Sequence, residues 1–329
     1  MLELFEILSK LTGTFGPSGR EGAVSRVIHE LCRPYADGVF SDVLGNLIVR
    51  KKGSGKKIML SAHMDTIGMA ATFIEDGGFV RFGAVGGLSK EQLSGARVVF
   101  ENGVRGVLSF EEKAEQKSLS LNHFFIDIGA KTKEEAEKAV KIGDFAVFDG
   151  RPVLNGDKVF SPYLDNRIGC AVLILALSGI KTTRNDLYFV FSAQEEVGLR
   201  GAQTAAFQIG ADLGIAVDVT GTGDTPGVKD KMSVKLGEGP AIKIADRSVL
   251  CSEEVTTLLK NAAERRKIAV QYEILMSGGT DAGAIQRAGS GAPVGGVSIP
   301  TRYIHSPNEL SSLSDALDAS RLIAEAVCR

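Results

Sequence analysis

A change of pattern partway along the chain limits the folds open to it more than any other feature. Up to residue 67, and again from about 156, helical apolar stripes alternate with strand-like runs. Between them, 68–155 breaks into short β-like runs punctuated by Gly, Asn and Asp. In the later part an apolar helix over 168–178, a strand LYFVFSA over 187–193, a helix around 201–208 and a strand LGIAVDV over 213–219 follow one another. Such alternation predicts a largely parallel sheet covered on both faces. A helix near 250–265, the strand AVQYEIL, a helix from about Asp281 and the strand VGGVSIP continue it. The middle runs FVRFGAV, ARVVFENGVRGVLSF, FFIDIG and FAVFDGRPVL, with one charged helix near Lys131–Lys141, read as a small β-rich domain. The expectation is an α/β domain made of 1–67 and 156–329, interrupted by a β-rich insertion over 68–155.

The opening MLELFEILSKLTG places Leu4, Leu8 and Leu11 at helical spacing and carries Glu3 and Glu6 where a signal peptide would be basic. It reads as a packed amphipathic helix. Ser18 and Glu21, three apart ahead of Val24, Val27, Ile28 and Leu31, read as a capping box for a helix over 19–33. NLIVRKK and KKIMLSA, joined by Gly-Ser-Gly, read as a hairpin whose second strand ends on His63. GSGKK is no phosphate loop, because Arg50 stands at the earlier glycine position and Lys57 where Ser or Thr is needed.

Charge narrows the partners. The 38 Lys and Arg against 40 Asp and Glu leave a net charge of -2, with no basic excess for nucleic acid or an anionic membrane. The longest apolar run, Ile168 to Ile180, falls short of the roughly 20 residues that span a bilayer. Cys32, Cys170, Cys251 and Cys328 form no C-x-x-C pair, which excludes a zinc ribbon or redox dithiol and fits a reducing, cytoplasmic setting.

The residues with chemistry gather at predicted strand ends. Two of the four histidines, His63 in SAHMDTIG and His305 in RYIHSPNE, lie there. Asp165 in YLDNR, Glu195 and Glu196 in FSAQEEVG and Asp218 in AVDVTG occupy matching positions. In an open α/β sheet such positions converge on one crevice. Imidazoles and carboxylates together suit zinc, cobalt or manganese. Two ions need a bridging carboxylate and a carboxylate left free as base. The six residues fit that inventory: His63 with Asp218 could complete one ion, His305 with Glu196 the other, Asp165 could bridge, and Glu195 would be free as the base. A glycosidase pair is a poor alternative for Glu195 and Glu196, because neighbours on one loop rarely flank a sugar; two solvated glutamates remain open. Asp65 is either a holder of the His63 ring or a turn aspartate. Asp281 is either a helix N-cap or a residue of the site. Arg302 and Tyr303 are substrate-contact candidates or plain surface. GTGDTPG and GEGPAI read as tight turns near the site, and Cys170 as packing.

SAHMDTIG, YLDNRIGC, QEEVGLRGA, AVDVTGTGDTPG, KLGEGPAI, SGGTDAGAI and RYIHSP, in this order, together resemble the dinuclear-metal aminopeptidases of metallopeptidase family 42 along essentially the whole chain. The resemblance implies a zinc-exopeptidase-like α/β/α catalytic domain, a barrel-like insertion used in oligomerisation, and dimers that assemble into a tetrahedral dodecamer. It implies peptide substrates and two divalent ions per subunit, zinc first, with cobalt or manganese as alternatives. It assigns His63, Asp165, Glu196, Asp218 and His305 as ligands, Glu195 as base and Asp65 as partner of His63. Thr66 departs from the family pattern, where glutamate is common, and local metal affinity or loop packing is the property it puts in question. Two competing readings are an N-acyl amino acid deacylase on the same metals and a polysaccharide hydrolase, as the family's old endoglucanase label would have it. Absence of Trp and 6% aromatic residues argue against sugar-stacking platforms.

Overall fold

The computed structural model describes residues 1–112, 119–228 and 231–328. Its main sheet has 11 strands. Asp186–Ser192, Lys57–His63, Leu213–Thr220 and Val294–Arg302 run parallel through its centre. Asp186–Ser192 and Leu213–Thr220 are buried at every position. That is the signature of strands covered on both faces.

Side chains along each central strand divide between two helical layers. Ile58 and Leu60 join a core with Leu187, Phe189 and Phe191, against the helices Leu2–Thr12, Leu164–Gly179 and Leu313–Val327. Met59, Tyr188 and Val190 point the other way, toward Arg200–Ile209 and Asp281–Gln286. The period-two split produces a three-layer α/β/α unit. Among the described residues no helix is long and apolar enough to cross a membrane.

The middle section closes on itself. Gly68–Ile74, Val80–Val85, Phe124–Asp127, Arg105–Phe110, Arg97–Phe100 and Phe145–Phe148 form an antiparallel barrel. Met69, Val80, Val98, Leu108, Phe124 and Ile126 fill a separate core inside it. The helix Lys133–Ala139 is capped by the Thr132 hydroxyl, which accepts from Glu135 N, and it buries Ala136 against that core. Tyr163, at the N-terminus of the helix Leu164–Gly179, packs into the barrel core, where its ring stacks on Phe148 and its hydroxyl accepts from the Phe148 N–H.

Two local expectations are overturned. Leu47–Lys51 and Lys57–His63 do not form a hairpin, because Asp186–Ser192 lies between them, antiparallel to the first and parallel to the second. The turn instead wraps the start of that strand, and the amides of Ser54 and Gly55 donate to Arg184 O at 2.9 and 2.8 Å. A Cβ on Gly53 would stand 2.1 Å from Asn185 O, so glycine is required for this close approach. Ser18 and Glu21 do not form a capping box either. The helix begins at Gly22 with no side-chain cap, and both residues are engaged at the candidate site.

Candidate metal centre

Parallel strands place their C-terminal ends at one edge of the sheet. His63 ends Lys57–His63, Asp218 lies near the end of Leu213–Thr220, and Glu195 and Glu196 follow Asp186–Ser192. Asp165 sits at the start of Leu164–Gly179, where the backbone is not yet helical and the Asp165–Asn166 peptide is cis. His305 is on the loop between Val294–Arg302 and Glu309–Ser312. Asp165 stands between the histidines, with Oδ1 3.0 Å from His63 Nε2 and Oδ2 3.2 Å from His305 Nε2. Glu196 Oε2 is 3.2 Å from His305 Nε2, while Asp218 Oδ1 and Glu195 Oε2 are 3.6 and 3.9 Å from His63 Nε2. All six line a cleft of about 390 Å³.

Two buried carboxylates hold the segments that carry this cluster. Asp65 accepts from Glu195 N at 3.0 Å and Glu196 N at 3.2 Å, and from the Ser18 hydroxyl at 2.6 Å. Its Oδ1 is also 3.6 Å from His63 Nδ1. Glu309 accepts from Asp165 N through one oxygen and from His305 N through the other, each at 2.8 Å. Glu21 adds a third anchor by accepting from Gln194 N at 3.1 Å. The loops are held in costly conformations. Tyr163, Gln194, Leu199, Tyr303 and His305 all have φ between 56° and 66°, a left-handed region that costs a non-glycine residue of order 1–3 kcal/mol.

The donor set calls for positive charge. Four carboxylates meet two imidazoles, and among the described residues no lysine or arginine forms an ion pair with any of the four. Burial alone would depress the His63 imidazole, yet the Glu195 charge and the bonds to Asp165 and Asp218 carry it well above its ordinary value. His305 is likewise pulled up to about 11, burial being outweighed by Asp165 and Glu196. Burial pushes Glu195 and Glu196 up and takes Asp218 to about 6. Glu196 Oε1 is buried with no hydrogen-bond partner. An excess of buried anionic oxygens and an orphaned one fit bound cations. His63, Asp165 and Glu196 form one group able to hold an ion, and His63, Glu195 and Asp218 another.

The structure therefore brings together all seven residues that the family resemblance assigns to the site. Asp65 reaches the site mostly through the backbone of the Glu195–Glu196 loop. Asp281 is buried one position past the N-cap, and its Oδ2 accepts from the Ser61 and Ser192 hydroxyls at 2.6 and 2.5 Å. It supports the ends of two site strands and is not a cap. Arg302 is spent in a two-pronged pair with Asp224 of the GTGDTPG turn. Of the two glycine-rich turns, Gly221 lines the cleft, whereas Gly237 and Gly239 donate their amides to Asp315. Thr66 packs the loop: its carbonyl accepts from Ser18 N and its hydroxyl donates to Gly16 O. Sequence reasoning missed Glu309 and the site roles of Ser18 and Glu21. The one available signal was Glu309 in the same polar turn as His305.

The family model described as M42 glutamyl aminopeptidase matches residues 45–322. A protein of Acetivibrio thermocellus, provisionally named an aminopeptidase, is 53% identical over 327 residues, 99% of each chain. The aminopeptidase APDkam598 of Desulfurococcus kamchatkensis superposes with a TM-score of 0.95 at 39% identity, covering 99% of this chain and 94% of that one. The Pyrococcus horikoshii TET1 peptidase, whose structure is described as able to assemble into a tetrahedron or a large octahedral shell, superposes at 0.88 with 34% identity over 98% and 99%. The chain belongs to the M42 family of aminopeptidases, hydrolases that act on peptide bonds.

Proposed function

We propose that the chain removes N-terminal residues from peptides at a site for two divalent ions, with Glu195 as general base. One observation carries this reading: the two oxygens of Asp165 are divided between His63 and His305, as a carboxylate shared by two ligand sets would be. His63 and Asp218 would hold one ion, Glu196 and His305 the other, with Asp165 common to both; zinc, cobalt and manganese all suit these donors. Divalent ions held by these residues would supply Lewis acidity toward the scissile carbonyl and would lower the pKa of a water toward neutrality.

The chain's own groups do the rest. Glu195 is fixed through its amide to Asp65, beside His63, and its Oε2 takes a proton from the attacking water and passes it to the leaving amine. Asp65 and Glu309 keep the ligand-bearing loops in place, so that little reorganisation accompanies the reaction. The barrel formed within 68–155 acts as an oligomerisation module, and the chain assembles from dimers toward a tetrahedral dodecamer. The assemblies of the P. horikoshii relative support this. Four free cysteines support a reducing compartment, the cytoplasm.

The test is hydrolysis of aminoacyl-p-nitroanilides and their N-acetylated counterparts by enzyme stripped with chelator and reloaded with zinc, cobalt or manganese. Metal-dependent cleavage of the free-amine set alone is expected. Cleavage of only N-acyl substrates would replace the proposal with a deacylase. Light scattering of the purified chain tests the assembly, and a monomer would refute that part.

A further inference from the structure

Next to the metal-ligand cluster, the cleft wall carries a second group of buried charges. Lys243, on the strand Ala241–Asp246, lines the cleft together with Asp246. Its Nζ donates to Glu273 and lies 3.2 Å from Asp246 Oδ2, and all three side chains are at most 1% exposed. Glu273 also accepts from the Thr220 hydroxyl at 2.9 Å, and Thr220 is two residues beyond Asp218 on the same face of its strand. The charged group thus abuts the ligand cluster directly. Gly296 opens the room for it, because a Cβ there would stand 3.0 Å from Lys243 Cβ.

Charge counting limits what this wall will accept. Lys243 is the one lysine or arginine among the described residues that line the cleft, and its charge is already matched by two carboxylates. An acidic side chain entering the cleft finds no unspent cation on this wall and the Asp246 carboxylate beside the paired Lys243. A basic side chain that would pair with Asp246 meets the Lys243 ammonium already 3.2 Å from that carboxylate. The remaining wall offers Leu199, Val219, Leu275 and Ile304. Burying an unpaired charge against such a surface is costly, whereas apolar contact is favourable.

We propose that Lys243, Asp246 and Glu273 form the selector for the substrate's first side chain, closing the pocket to acidic and basic residues and leaving it to uncharged aliphatic ones. This rests on the aminopeptidase reading above and narrows it, against the glutamyl description of the family model. Because the selector works by charge balance, changing its balance should change the substrate.

The experiment measures kcat/KM for leucyl-, glutamyl- and lysyl-p-nitroanilide with metal-loaded enzyme. Ratios between substrates do not depend on how much of a preparation is folded and active. Wild type should favour leucyl over both others by at least about tenfold, the size of one misplaced charge contact or methylene. Lys243→Met, which leaves two carboxylates uncompensated, should raise the lysyl-to-leucyl ratio about tenfold or more. The double variant D246N/E273Q, which frees the ammonium, should raise the glutamyl-to-leucyl ratio by a similar factor. A wild-type preference for glutamyl or lysyl substrate overturns the proposal, as do ratios within twofold of wild type in whichever variant folds. Failure to cleave any free-amine anilide would instead refute the aminopeptidase reading itself.

Discussion

Glu309 offers the sharpest test of how the site is held. Its two oxygens each accept one backbone N–H, from Asp165 and His305, at 2.8 Å, and the side chain is buried. An ionised carboxylate satisfies both donors best, with one oxygen for each. In Glu309→Gln the shape is kept, the amide oxygen accepts one N–H, and the amide nitrogen turns a donor toward the other. A buried donor left unpaired costs about 1–3 kcal/mol. At about 1.4 kcal/mol per factor of ten, that corresponds to roughly five- to hundredfold. The cost falls on the geometry of Asp165 and His305 together, and partners of this kind typically change metal affinity 10- to 100-fold. The assay is titration of stripped protein with zinc against a chromophoric competing chelator, with thermal unfolding followed in parallel. Glu309→Gln should bind about tenfold or more weakly and unfold at lower temperature. Burial and the Asp165 charge push the Glu309 carboxyl well above the ordinary range. If it is neutral in the working enzyme, the amide variant will match wild type within twofold in affinity, and the reasoning is refuted.

Four other outcomes are expected. Glu195→Gln should keep its metal content by elemental analysis while kcat falls by about 10²–10⁴, the usual worth of a general base; near-wild-type turnover would remove that role from Glu195. Chelation should abolish hydrolysis, and a divalent ion should restore it; activity indifferent to chelator would refute metal dependence. Gly201→Ala should lose soluble protein or several degrees of melting temperature, because the new Cβ would stand 2.1 Å from Asn46 Oδ1 and 2.4 Å from Ala193 O. Burial pushes the Cys170 and Cys251 thiols up to about 12 and also raises Cys32 and Cys328, so a thiolate-dependent reagent at pH 8 should label the folded protein slowly and the denatured protein fully. Rapid labelling of the native chain would contradict those environments.

The residues of the His and carboxylate cluster were legible because their chemistry leaves few other uses for them at a strand end. A histidine or paired glutamates just past an apolar run is a rare local pattern, and the parallel sheet brings such patterns to one edge. The residues that hold them were not legible, because they act on backbone amides far away along the chain. Glu309 accepts from the Asp165 amide across 144 positions, and Glu21 from the Gln194 amide across 173. Their partners carry no mark in the sequence, since every residue but proline has the same N–H. Ser18 and Glu21 show how a local rule fails under such competition. Their spacing satisfies the capping box, yet the Ser18 hydroxyl finds a buried carboxylate in Asp65 and Glu21 finds Gln194 N, both stronger uses than an exposed helix start. The false hairpin has the same origin. Two strand-like runs with a tight turn pair by default, unless a third strand buried on both faces needs both as neighbours, as Asp186–Ser192 does.

This division makes the site's fragility uneven. A proposed ligand such as His305 has one function, and replacing it removes one donor. Asp65 and Glu309 each hold two backbone amides, Asp65 those of Glu195 and Glu196 on one loop, Glu309 those of Asp165 and His305 on two separate segments. The two carboxylates therefore set the spacing between ligand groups that no single ligand controls. Their effect also reaches the strained loops, because Gln194 and His305 sit in left-handed conformations beside the amides being held. Releasing an amide removes the contact that offsets that strain, and the loop is then free to relax to ordinary backbone geometry and carry its ligand out of register. A positioning carboxylate lost should thus disturb both metal positions at once, whereas a ligand lost should disturb chiefly its own.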